Sequence, residues 1–511
     1  MTLYFSNSQQ LNSYPKAPTP EVERRWNENR RRRRMLEGAW EQDLYDFLAP
    51  LVDARRLDKW KKLDISKNLF ASLTSQLSVL YSRAPVMYRR DGNGPALELL
   101  TDATNDAGLW QLAATNQQNT LGCREGALAV QSHEDRRGRL RLGYTIIPAD
   151  LMHAEAAPET PDEPHTFYWY RLRLIDQELK WTRDTWSIAD PMDPYFEVQD
   201  EEGNNLSKLF PDIPQYHGDE YTKQWNIDGV PYIPVELYHA LRTGKLFDWS
   251  RGVELVDGSL QVAGLWTMWQ HIVRDCSWPQ RWTFNATVDG VEVRDGVGSL
   301  ITDPATLLAF STRPGVTGSA GQFQPGGDPE TIGRAIQAFA SDLASGFDLS
   351  PGDVKRVHGD ARSGYAIEVT KDGQRQAQRK FAPSFSRADE SLLGKSAALL
   401  GLPGDGWHVR YTGIPATFSE RQALIEEYKA RAELGITSPI ALLAALDDIS
   451  EQEALRRMSE FFADRARIDA LEKQFLTPDS TNVRRDEQPA AARGDDPDQQ
   501  VQPEDRDDQS T

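Results

Sequence analysis

The chain has 511 residues, two cysteines and a formal net charge of −19, enough length to bury a sizeable core in roughly two to four structural units. No stretch approaches about 18 uninterrupted apolar residues, and Met1 to Pro20 is polar and rich in Ser and Pro, so neither a membrane span nor a signal peptide is expected. Cys123 and Cys276 lack CxxC or Cys/His spacing, which argues against a disulfide framework or a thiolate zinc site and fits a reducing cytoplasm; the acidic balance excludes a surface that binds nucleic acid everywhere and confines any DNA contact to local or transient patches.

Arg24 to Arg34 is strongly basic, with five consecutive arginines from Arg30, and runs into Leu36, Trp40, Leu44, Phe47 and Leu48 at helical spacing. A nucleic-acid or partner contact and a solvated helix face or inter-subunit salt bridges both fit this run. The next stretch, Leu63 to Arg83, sets Ile65, Leu69, Phe70, Leu73, Leu77 and Leu80 on one stripe, and Ala84-Pro85 ends it. A third helical stretch is predicted from Pro95 to Gly126. Alternation then replaces helical spacing. Ala127 to His133, a turn at Asp135-Arg136-Arg137-Gly138, and Leu140 to Ile146 read as a β-hairpin closed by Pro148. Aromatic-rich strands follow at Phe167 to Leu174, at Leu179 and Trp181, and at Trp186 and Ile188, with one more at Tyr232 to Leu237.

From Glu254 to Arg274 the helical period returns, with Val262, Leu265, Trp266, Trp269, Ile272 and Val273 on one stripe. Trp282 to Phe323 reads as a module of short strands in which Asp289-Gly290 is a candidate type I′ turn. Asp328-Pro329-Glu330 has the chemistry of a helix start, an acceptor for orphan N–H groups followed by proline, and leads into Ile332, Ile336, Phe339 and Leu343. Asp348 to Arg362 reads as a loop carrying Lys355, Arg356, His358 and Arg362. A long helix is predicted from Ser363 to Leu400, kinked or broken at Ala382-Pro383, then a strand at Trp407 to Tyr411. Helices at Ser419 to Leu434 and Ser450 to Phe475 flank a short one ending at Leu446. After Thr477 only Val483 and Val501 are aliphatic beyond alanine, among ten acidic and four basic residues, a composition that cannot offset the entropy of ordering.

Catalytic signatures fail one by one. Gly394-Lys395-Ser396 ends like a phosphate loop, but Asp389 stands where that pattern needs glycine and no strand precedes it. Asp200-Glu201-Glu202-Gly203 lacks the alternating ligands of a calcium loop, the histidines form no metal-binding pair, and no nucleophile elbow occurs. No catalytic residue, metal or cofactor is assigned. The pair Trp266 and Trp269 reads as core or interface packing.

Taken in order, these segments resemble the portal proteins of tailed bacteriophages up to about residue 475. The resemblance rests on Asn68-Leu69 leading to Tyr81-Ser82-Arg83-Ala84-Pro85-Val86, on Tyr144-Thr145-Ile146-Ile147-Pro148-Ala149-Asp150, on Val230-Pro231-Tyr232-Ile233-Pro234-Val235 ahead of the Glu254 helix, and on Ala361-Arg362-Ser363-Gly364-Tyr365-Ala366. It implies a ring-forming α+β portal fold: a wing (residues 1–252), two stem helices (253–275 and 328–346) around a small β-containing clip (276–327), a tunnel loop (347–362), a long kinked helix returning to the wing (363–412), a helical crown (413–475) and a disordered acidic tail (476–511). It also implies a non-enzymatic conduit for double-stranded DNA at the capsid vertex. Lys355, Arg356 and Arg362 would touch phosphates without reading sequence, and Trp266, Trp269, Ile272, Val273, Ile332, Ile336 and Phe339 would form stem and subunit contacts. The implied partners are further copies of the chain in a dodecameric ring, the terminase large subunit, the major capsid or scaffold protein and a head-completion or tail adaptor, with no membrane; the implied location is the virion, after assembly in the host cytoplasm. The alternatives are another structural head or baseplate protein, or an unrecognised hydrolase.

Overall fold

Thr19 starts the first helix: its hydroxyl accepts from the Val22 N–H at 3.3 Å and Pro20 fills the first helical position, giving α1 (Pro20–Glu37). Gly38, in the left-handed region at φ 80°, ends it, so the basic run and the stripe beyond it lie on two helices, α1 and α2 (Glu41–Leu48). The predicted Leu63 to Arg83 helix is likewise shorter. The Asn68 side chain accepts from the Ala71 N–H at 3.0 Å and begins α3 (Leu69–Leu77) there, while Leu63 and Leu80 are buried from irregular backbone on either side. After β1 (Val86–Arg89), the single helix predicted from Pro95 is α4 (Pro95–Asp106) and α5 (Leu109–Cys123), separated by Gly108 at φ 67°. The structure is a computed structural model describing residues 14–52, 57, 63–89, 94–175, 178–210, 213, 215–277, 281–288, 292–294, 297–299, 310–312, 314–315, 317–322, 328–347, 364–412, 418–433, 435, 438–447 and 451–476.

The hairpin read from alternation is β2 (Glu125–Glu134) with β3 (Leu140–Ile147), closed where the Asp135 carboxylate accepts from the backbone N–H groups of Arg137 and Arg139 at 2.7 and 3.0 Å. β4 (Met152–Ala156), β5 (Pro164–Ile175), β6 (Glu178–Ser187), β7 (Tyr195–Gln199) and β8 (Tyr216–His217) form an antiparallel sheet in that order. The segments around Trp181 and Trp186, predicted as separate strands, are one: β6 pairs with β5 along its whole length, and Ile188 lies just past its end. Next come α6 (Gly218–Gln224), the short pair β9 (Asn226–Ile227) and β10 (Val230–Pro231), and β11 (Val235–His239). β11 completes a three-stranded sheet against β2, with Val235 opposite Ala129.

Helix α7 (Val253–Ser277) leads to a nested ribbon. β12 (Arg281–Phe284) pairs with β17 (Ser319–Gln322), β13 (Ala286–Val288) with β16 (Phe310–Thr312), and β14 (Glu292–Arg294) with β15 (Val297–Ser299), all antiparallel. Asp289-Gly290 lies outside the described residues, and the strands flanking it do not pair with each other. The innermost pair of the ribbon has Arg294 facing Val297. Then come α8 (Pro329–Ser345), α9 (Gly364–Leu399) and β18 (Trp407–Arg410), which pairs antiparallel with β1 across 318 residues of chain order from Arg89 to Trp407. The expected break at Pro383 is absent as a helix end. The proline costs one backbone bond, but Phe381, Phe385, Ala388 and Leu392 are buried on both sides of it, and that packing carries α9 through.

The architecture is therefore α+β. The chain divides into two compact units, residues 1–420 and 421–511. In the first, one continuous apolar core joins α2, α3, α5, the three-stranded sheet, the inner face of the five-stranded sheet, α7 and α9, and Val22, Trp26 and Tyr170 form a small satellite. α10 (Phe418–Glu433) begins at the end of the first unit, and the second also holds α11 (Pro439–Asp447) packed on α12 (Glu451–Leu476). Among the described residues no helix is long and apolar enough to cross a membrane.

Candidate assembly hairpin

Helices α7 and α8 run antiparallel, because a side chain added at Gly258 would strike Leu343 while Gly333 lies against the Trp269 indole. Glycine at both positions lets the helices approach closely. Burial along the pair is graded. Leu255, Val256, Leu260, Val262 and Ala263 are buried in the core; after Thr267, no described residue of α7 is buried. On α8 the gradient runs the same way in space: Ala344, Ser341, Ala340 and Ile336 are buried, whereas Ile332 and Gly333 are half-buried and the first turn is largely exposed. The hairpin thus leaves the core at the end that bears the nested strands.

At that end the two tryptophans divide their polar edges. The Trp269 N–H donates to the Pro329 carbonyl at 2.7 Å, and the Trp266 N–H donates to Asp64 Oδ2 at 2.9 Å. The rings stack with centroids 4.7 Å apart, and Lys67 Nζ sits 4.6 Å over Trp266. Partial burial pushes the Asp64 carboxyl up, but hydrogen bonds from Ser66, Gln270 and Trp266 outweigh it and hold the group below the usual carboxylate range. The sequence-predicted stem residues therefore separate. Trp269, Ile332, Ile336 and Phe339 join one packed α7–α8 face, Trp266 faces the segment before α3, and Ile272 and Val273 are half-buried further along α7. Lys355, Arg356 and Arg362, predicted to touch DNA, lie outside the described residues.

The arginine run is used within the chain. Arg33 bonds Asp150 at 2.7 Å, Arg34 grips Asp43 with both arms at 2.9 and 2.5 Å, Arg31 meets Asp257 at 3.0 Å, and Arg32 takes Glu28 and the Arg251 carbonyl at 3.0 and 3.1 Å. Arg30 lies over the Tyr14 ring at 3.2 Å. One turn earlier, Arg25 bonds Glu125 at 2.8 Å and the Met152 carbonyl at 2.7 Å, over the Phe247 ring. Burial pulls Arg25 down and Glu125 up, and each opposes the other's shift. This run is neither a solvated face nor a free basic patch: it clamps α1 to the start of β2, to the turn before β4 and to α7. Lys395, from the rejected phosphate-loop pattern, is spent in the same way on Glu236 at 2.6 Å and the Val235 carbonyl at 2.7 Å.

Sequence reasoning missed a buried cluster centred on Asp389 of α9. The hydroxyls of Tyr81, Tyr238 and Tyr411 all donate to the Asp389 carboxylate. A signal was present, since Asp389 interrupts the apolar stripe of Phe381, Phe385, Leu392 and Leu393; the tyrosines, far apart in sequence, gave none.

No family model and no curated protein matches the chain. Among solved structures it is similar to a chain in the virion of a native gene transfer agent particle, at 13% identity over 75% of this chain and 91% of that one, with a TM-score of 0.37. It is also similar to a chain from the neck of an empty particle of that kind computed with C6 symmetry, at 14% identity, 75% and 89% coverage and a TM-score of 0.38. A third is from the neck of a native particle computed with C12 symmetry, at 15% identity, 74% and 89% coverage and a TM-score of 0.37. Scores of this size do not establish a common fold.

Proposed function

We propose that the chain is the portal subunit of a phage-like particle: a non-enzymatic protein that assembles into a ring at the capsid vertex and passes double-stranded DNA during packaging and ejection. The observation that carries this reading is the α7–α8 hairpin, which emerges from the core with its apolar face only half covered and bears a module of short paired strands at its outer end. A single hairpin cannot cover its own stripe. Copies arranged head to tail can, and a heterologous contact repeated by a fixed rotation closes into a ring. In this reading α7 and α8 are the stem, the nested strands are the clip that meets the packaging motor and later the adaptor proteins, the following loop carries Lys355, Arg356 and Arg362 toward DNA phosphates, and α10 to α12 belong to the crown. ATP hydrolysis belongs to the motor. Negative-stain images of the purified chain test it: rings with a central hole support a portal, and monomers or solid assemblies count against it in favour of another head or baseplate component.

A further inference from the structure

The Asp389 cluster joins parts of the chain that are otherwise far apart. Tyr81 follows α3, Tyr238 is in β11, Tyr411 follows β18, and Asp389 is in the C-terminal half of α9. Tyr81 donates to Oδ1 and Oδ2 at 3.0 and 2.8 Å, Tyr238 to Oδ1 at 2.9 Å, and Tyr411 to Oδ2 at 2.6 Å. Asp389 is 2% exposed, and the three tyrosines are buried with it. Around the cluster, Tyr81 stacks on Trp110 and meets Phe385 and Tyr411 edge-on.

Among the described residues the hydrogen bonds on the Asp389 carboxylate come from tyrosine hydroxyls. Lys395, on the same helix, is held by Glu236, which also accepts from Ser391 at 2.6 Å. Glu390, the next residue along α9, turns to His408 on β18 at 3.3 Å. His239, beside Tyr238 on β11, is pushed down to about 4, by burial first and then by Arg242, so it stays neutral near pH 7. The Asp389 charge is therefore balanced by the hydroxyl dipoles of three tyrosines, with the Glu236 carboxylate nearby opposing it. A buried carboxylate in that position is costly, whereas a neutral carboxyl can donate to a tyrosine oxygen and still accept from the other tyrosines. Both protonation states keep their hydrogen bonds, and only the energy differs.

We propose that Asp389 and its three tyrosines form a proton-operated latch, in which a proton on the carboxyl fastens α9 to β11 and to the β1–β18 pair and its loss strains that junction. Burial raises the Asp389 carboxyl to about 7, against the three tyrosine hydrogen bonds that favour the anion. The sign follows. A carboxyl that holds its proton more tightly folded than unfolded contributes stability that is fully present below the unfolded value near 3.8 and is lost as pH rises through about 7.

The test compares urea midpoints of the full-length chain and Asp389→Asn from about pH 5 to about pH 8, the window that spans the raised value. Asparagine has no proton to lose, so the variant should gain on the wild type as pH rises to about 7 and then hold level; groups common to both proteins cancel in the difference. Tyr411→Phe removes a donor to the anion and should move the wild-type transition to higher pH, about tenfold in proton affinity. A difference between wild type and Asp389→Asn that is constant with pH overturns the proposal. Should that variant not fold, infrared spectra of the wild type decide. An exchange-resistant protonated carboxyl band that fades as pH rises through neutrality, and fades later in Tyr411→Phe, supports the latch; its absence overturns it.

Discussion

The indole N–H of Trp269 donates to the carbonyl of Pro329 across 2.7 Å, fastening the half-exposed end of α7 to the first turn of α8. Replacing Trp269 with Asp puts a carboxylate against that carbonyl and in the packed face between the helices, at a cost of several kcal/mol. Light scattering after size exclusion should then show loss of rings. Trp269→Phe gives up the hydrogen bond, about 1 kcal/mol, and keeps most of the apolar contact, so its rings should form with a lower melting temperature. Normal assembly of the aspartate variant would show that this face is not needed for rings.

The pair Arg25 and Glu125 is 3% and 1% exposed. Arg25→Ala leaves the Glu125 carboxylate buried with the Asn29 amide as donor and Arg32 at longer range, and should cost about 3–5 kcal/mol in urea unfolding. Adding Glu125→Gln removes the stranded charge and should restore part of that loss. If the second substitution restores nothing, the damage from Arg25→Ala is lost packing on Phe247 rather than an unpaired charge.

These two sites mark what sequence could and could not tell. The α7 stripe was legible because helical spacing is local, and the Asp328-Pro329 start was legible because capping needs only neighbours; the Asp328 side chain does accept from the Glu330 and Thr331 N–H groups. The arginine run was legible as a helix but its use was not, because its partners Asp150 and Asp257 lie 117 and 226 residues away. β1 went unseen for the same reason: a four-residue strand is defined by its partner, β18, and not by its own pattern.

His153 lies between the rings of Tyr168 and Phe247, at centroid distances of 5.8 and 6.0 Å, beside Arg25. Burial, then Arg25 and Arg183, push it down from 6.5 to about 3. Its depressed value means the unfolded chain takes up the proton first, so stability is present above pH 6.5 and is lost as pH falls toward 3. By pH 4 the loss is about 3 kcal/mol from this residue. His153→Phe keeps the stack and removes the titration, and its acid unfolding limb should be shallower than that of the wild type. Superimposable limbs would assign acid sensitivity elsewhere.

Charge reversal at Lys355 and Arg356, both to Glu, tests the proposed DNA contact. Neither residue belongs to an apolar stripe, so rings should assemble, while a grip on phosphates turns to repulsion. Particles built with this double variant should package or retain less DNA. Full DNA content measured by nuclease protection would remove these residues from the conduit.

The arginine clamp also sets an order of events during synthesis. When the ribosome has released residues up to 149, Arg34 and Arg32 can already meet Asp43 and Glu28, while Arg33 and Arg31 still lack their distant acceptors Asp150 and Asp257. Until then Arg31 and Arg33 have Glu28 and Glu37 of their own helix as nearby counter-charges. The clamp is complete only after the start of α7 arrives and delivers Asp257, so Arg31 waits on a partner 226 residues further along.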